Sequence, residues 1–150
     1  MAVESLIALE LPDGSKREVP SGTTLAELAA QISRSLAKKA VAGRLDGKLV
    51  DLATRLEGPA KVSIVTADDA EALEVLRHST AHLMAHAVTS LFPGAKITIG
   101  PVTADGFYYD FDYERPFTLE ALAKIEAEMK RLSQENLDVT REVFAADRVP

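Results

Sequence analysis

The chain's only three histidines, His78, His82 and His86, fall in one run, RHSTAHLMAHAV, at steps of four. In a helix each residue advances by about 100°, so a step of four moves round by only about 40°. The three imidazoles therefore form one narrow stripe. Leu73, Leu76, Thr80, Leu83, Met84, Ala87 and Leu91 are expected on the opposite, core-facing side. A single histidine on a helix is commonly a solvated surface residue, and a lone H-x-x-x-H pair arises often by chance. All of the chain's histidines on one stripe, turned away from the core, favour a site.

Two chemistries suit such a stripe. Imidazoles at i and i+4 can share a metal, as in H-E-x-x-H proteases, but Ser79 stands where that motif has its glutamate base. Zinc takes three or four ligands. With no cysteine in the chain, they would have to come from the histidines and carboxylates. The other use is hydrolytic: near pH 7 a neutral imidazole accepts a proton from water or orients it. Both uses fit the spacing.

The element that must carry the stripe is a helix from about Asp68 to Phe92, stopped by Pro93-Gly94. Beyond it, Lys96 to Val102 and Gly106 to Tyr113 read as a hairpin around Ala104-Asp105-Gly106. In FYYDFDY the alternation puts Phe107, Tyr109, Phe111 and Tyr113 on one face, read as core, and Tyr108, Asp110 and Asp112 on the other. Thr118 is placed to cap a helix running to about Asn136, with Leu122, Ile125, Met129 and Leu132 as its apolar stripe. Asp138 to Phe144 reads as one further strand.

The preceding residues have another pattern. Ser5 to Leu11 and Lys16 to Val19 flank Pro12-Asp13-Gly14, a turn signal for a hairpin. Thr24 and Glu27 have capping-box spacing, and Leu25, Leu28, Ala29 and Ile32 recur at helical intervals. After Ser33, Ala40 to Leu45, Lys48 to Val50 and Lys61 to Val65 are short β-like pieces, the first two joined by Asp46-Gly47. Hairpin, helix, then strands is the order of a ubiquitin-like β-grasp domain. The expected fold class is α+β: a β-grasp domain over 1–66, then an α+β portion over 67–150 with a long helix, a hairpin and a second helix.

Charge separates the same two parts. Residues 1–65 carry nine Lys/Arg against eight Asp/Glu, a net of +1; residues 66–150 carry eight against fifteen, a net of −7. So acidic a second part is a poor binder of nucleic acid on its own, because phosphate neutralisation supplies most non-specific affinity. No apolar run approaches the roughly 18–20 residues that span a bilayer, and Glu4 and Glu10 interrupt what could have been a secretory leader. A cytoplasmic location without membrane contact is expected.

The first part, LPDGSKREVPSGTTLAELAAQIS with AVAGRLDGKLVDLATRL, resembles the TGS domain of threonyl-tRNA synthetases, Obg-type GTPases and stringent-response synthetase-hydrolases. The second, LRHSTAHLMAHAV followed by ITIGPVTADGFYYDFDYERPFT, resembles the editing domain of bacterial-type threonyl-tRNA synthetases. That family charges tRNA(Thr) with threonine. Because one methyl discriminates by only about 1–3 kcal/mol, a second site removes mischarged serine. The resemblance places the editing role on His78 and His82, which would position or activate water at the terminal adenosine, with His86 as a third candidate. It further implies that a cysteine-and-histidine motif completing the cleft lies outside these residues. So does the aminoacylation core, with its ATP, magnesium and zinc sites. No cofactor or metal is expected within this chain, which by itself is expected to be an inactive monomer; the full-length enzyme is expected to be a homodimer. The alternatives are a stand-alone RNA- or ribosome-binding TGS module, with a basic patch of Lys38, Lys39, Arg44 and Lys48, and a zinc-dependent relative of alanyl-tRNA editing proteins.

Overall fold

Hydrophobic residues that alternate in β1 (Leu6–Glu10) bury Ile7 and Leu9 and leave Leu6, Ala8 and Glu10 on the other face. In this computed structural model, which describes residues 5–148, β1 pairs antiparallel with β2 (Lys16–Pro20), Ile7 opposite Val19. The capping box forms at α1 (Leu25–Ile32): Thr24 Oγ1 accepts from the Glu27 N–H at 3.2 Å, and the Glu27 carboxylate accepts from the Thr24 N–H at 2.8 Å. A helix absent from the sequence reading follows. This is α2 (Arg34–Lys39), capped by Ser33 Oγ, which accepts from the Leu36 N–H at 3.0 Å. It buries no residue, so it has no apolar stripe to betray it.

Three more strands, β3 (Ala40–Leu45), β4 (Lys48–Val50) and β5 (Ala60–Thr66), complete a sheet of order β2-β1-β5-β3-β4. Only the β1–β5 pair is parallel. The β3–β4 turn is tight, with Asp46 and Gly47 at φ 49° and 82°. Leu25 and Leu28 of α1 pack on Ile7, Leu9, Val19 and Val62, with Leu56 closing the cluster. Gly43 leaves the space that Leu25 occupies. This is the β-grasp arrangement that the order of elements implied.

The chain divides into two compact units, Met1–Leu76 and Arg77–Pro150. The first takes in the opening turns of α3 (Ala70–Leu91), because Ala72 and Val75 join Ala42 and Val65 in a small apolar cluster. Lys39 also pairs with Asp68 at 2.9 Å, and Arg44 pairs with Glu71. Two of the four residues of the expected basic patch are thus already neutralised by acidic neighbours.

In the second unit, α4 (Leu119–Gln134) starts at Thr118, whose Oγ1 accepts from the Ala121 N–H at 3.1 Å. Its Ile125 and Leu132 pack with Ala87 and Val88 of α3, with Phe111 and Phe117 against the cluster. The aromatic alternation holds, since Phe107, Tyr109, Phe111 and Tyr113 are half-buried while Tyr108, Asp110 and Asp112 are exposed. Three expectations are corrected. Leu73, Leu76 and Leu122 are 50%, 62% and 53% exposed; α3 buries small residues instead, Ala81, Ala85, Ala87 and Val88. The hairpin is regular only at β6 (Lys96–Ile97) with β7 (Phe111–Asp112), plus a bridge from Val102 to Phe107. Pro101 has no N–H to give a ladder, and the ring of Tyr109 fills the space beside Gly100. No strand forms over 138–144: no described strand pairs with this segment, and Val139 and Val143 are exposed. No described helix is long and apolar enough to cross a membrane.

Candidate functional site

All three histidines are exposed on α3, on the one face that their spacing implies. His78 and His82 face each other, with Nε2 to Nε2 at 3.0 Å and the rings edge to face at 4.6 Å between centroids. A hydrogen bond between two such nitrogens needs hydrogen on one and a lone pair on the other. One ring nitrogen therefore donates and the other accepts, along a line open to solvent. His86, one turn on, lines the same groove without joining the pair.

The groove has a volume of about 640 Å³. One side is α3, with His78, Ser79, His82, Leu83 and His86; the other is Leu132, Ser133 and Asn136 at the end of α4, then Leu137 and Val139. Asn136 is held at φ 48°, a left-handed conformation that Asn adopts more readily than most residues. It ends α4 and turns the following residues towards the histidines. This second wall was missing from the sequence reading, where Leu132 was only a core residue and 138–144 only a strand. Nothing in the spacing joins residues 137 and 139 to the stripe.

A carboxylate lies within electrostatic reach. The Arg131 guanidinium, which donates to Glu128 from Nε at 2.9 Å and from Nη2 at 2.6 Å, holds the Glu128 carboxyl below its ordinary value; the charge on His86 acts in the same direction. Arg131 also pairs with Glu135. Among the described residues no group of three or more His, Cys, Asp or Glu is arranged to hold a metal ion. Two imidazoles alone fall short of the three or four ligands zinc takes. What the arrangement offers by itself is a proton acceptor and donor in a half-apolar groove, suited to general-base activation of water.

A sequence profile described as "TGS domain" matches residues 7–66, the same stretch that folds as β1 to β5. The chain carries a TGS domain. The likeness to known proteins runs well past that TGS domain. The chain is 56% identical over 142 residues to the threonine–tRNA ligase of Methylibium petroleiphilum, which covers 95% of this chain and 22% of that one. It is also 56% identical over 142 residues to the threonine–tRNA ligase of Pelobacter propionicus, with the same coverage. A third such ligase, from Methylococcus capsulatus, is 58% identical over 131 residues, or 87% of this chain and 20% of that one. The chain thus spans about a fifth of the length of the curated relatives it matches.

Proposed function

We propose that this chain is the portion of a threonine–tRNA ligase that joins the TGS domain to the first part of a serine-editing site. The whole enzyme charges tRNA(Thr) with threonine in the cytoplasm, using ATP, and acts as a homodimer. Its ATP, magnesium and zinc sites belong to the remainder. Residues 67–150 contribute one side of a second cleft that hydrolyses seryl-tRNA(Thr).

The observation that carries this reading is the His78–His82 pair, 3.0 Å between Nε2 atoms and open to the groove, in a chain so similar to threonine–tRNA ligases. In the ester hydrolysis, the imidazole with the free lone pair accepts a proton from water as the water oxygen attacks the seryl carbonyl. The ester carbon–oxygen bond breaks, and the proton passes to the departing ribose oxygen, giving serine and tRNA. Moving the proton between the paired nitrogens lets one ring serve as base and the other as acid. A free-standing RNA-binding module draws less support, because Lys39 and Arg44 are engaged by Asp68 and Glu71.

The test uses the Methylibium enzyme with its matching 142 residues replaced by those of this chain. The chimera is expected to deacylate seryl-tRNA(Thr), and His82→Ala to slow that reaction by about a hundredfold or more, the usual worth of a general base. Unchanged hydrolysis in the His78→Ala,His82→Ala double variant would overturn the assignment. The 150-residue chain alone is expected not to deacylate.

A further inference from the structure

One residue before the stripe begins a different row of α3. Arg77, Ala81, Ala85 and Val88 follow at steps of four, four and three, so they share a face, and the last three are buried. Arg77 Nη1 donates to the Ala104 carbonyl at 2.8 Å and to the Thr103 carbonyl at 3.4 Å. Both carbonyls belong to the tip of the β6–β7 hairpin, closed by the Thr103 N–H on the Gly106 carbonyl at 2.8 Å. The base of the hairpin is fixed elsewhere: Tyr113 meets Phe92, just past the end of α3, edge to face at 5.7 Å.

Positions 77 and 92 are about 22 Å apart along the helix, at roughly 1.5 Å per residue. The hairpin therefore runs beside the whole stretch that carries the histidines. Aromatic rings hold one end and a single guanidinium the other. Between them the two strands are joined to each other, the Asp110 N–H donating to the Ile99 carbonyl at 2.8 Å and the Tyr108 N–H to the Pro101 carbonyl at 3.3 Å, so the hairpin can swing as one piece about its base. Among the hydrogen bonds of the described residues, those from Arg77 are the ones that join the tip to α3. An arginine suits the task, because its planar guanidinium fixes the direction of the two Nη1 hydrogens that face the neighbouring carbonyls, where a lysine is a single point charge.

We infer that Arg77 is a positioning residue for the hydrolytic site: it straps the hairpin tip to α3 next to His78 and keeps the hairpin along the flank of the histidine stripe. The inference rests on the editing reading above. The strap itself, from Arg77 to the Thr103 and Ala104 carbonyls, is independent of that reading.

Two measurements separate the two. In the 150-residue chain, Arg77→Ala is expected to speed amide hydrogen exchange at Thr103 by about fivefold or more, with Arg77→Lys between the two. In the chimera, Arg77→Ala is expected to lower kcat for seryl-tRNA hydrolysis by about tenfold, as a misplaced wall does. KM is expected to change much less, and Arg77→Lys to recover part of the loss. Unchanged exchange at Thr103 overturns the strap. Faster exchange with unchanged kcat overturns the positioning role. If His82→Ala fails to slow hydrolysis, the editing reading falls and takes the positioning role with it, while the exchange result still decides the strap. Should Arg77→Ala not fold, Arg77→Lys alone carries both measurements.

Discussion

Between the facing Nε2 atoms of His78 and His82, 3.0 Å apart, one nitrogen donates while the other accepts. Of the glycines in the second unit, Gly100 has the least room, and an added Cβ there would overlap the Tyr109 ring. That ring stacks on Phe111 at 4.9 Å between centroids, and Phe111 in turn meets Phe117. Gly100→Ala is therefore expected to push Tyr109 aside and lower stability by about 1–3 kcal/mol, the usual cost of overpacking. Gly106→Ala, in the same hairpin but with open space beside it, is expected to stay within about 0.5 kcal/mol. Thermal melts followed by tyrosine fluorescence would compare them, since all three tyrosines lie between 108 and 113. Equal melting temperatures for the two variants would rule out the packing account.

The elements that could be read ahead were those with a local signature: the Thr24–Glu27 box, the Asp46-Gly47 turn, the alternation in FYYDFDY, and the histidine period. What escaped had no such mark. Helix α2 buries nothing, and α3 buries alanines where the larger Leu73 and Leu76 were expected. The second wall of the groove depends on how the backbone leaves α4, which no periodicity encodes. Asn136 makes that exit at φ 48°. Asn136→Ala is expected to cost about 1 kcal/mol or more, because a Cβ without a compensating side chain disfavours this conformation. Asn136→Gly is expected to cost little. Urea melts that rank glycine below alanine would contradict the left-handed exit.

The same helix end has a pH signature. Glu128 is held below its usual carboxyl value, chiefly by its hydrogen bond with Arg131. Its folded value is lower than its unfolded one, so its contribution is present above the ordinary carboxyl range and is lost as pH falls through the folded value. The melting temperature of the second unit is expected to fall as pH drops below the ordinary carboxyl range, and more gently in Glu128→Gln. Parallel pH profiles for the two proteins would remove the Glu128–Arg131 bond from the account.

For the chain taken entire, the informative boundary is where the first unit stops. The TGS match ends at residue 66, but Ala72 and Val75 complete the apolar cluster with Ala42 and Val65. Cut at Leu76, that cluster is whole; cut at Thr66, Ala42 and Val65 face water. Burial of apolar surface at about 25 cal/mol per Å² makes such a loss worth roughly 1–3 kcal/mol. The exposed Lys39–Asp68 and Arg44–Glu71 pairs, lost in the same cut, add little. Residues 1–76 are accordingly expected to fold alone and to melt several degrees above residues 1–66, with the difference insensitive to salt. A gap that closes in 1 M salt would mean the ion pairs hold the start of α3 to the sheet. If the two pieces melted alike, residues 67–76 would be a connector with no part in the domain's stability.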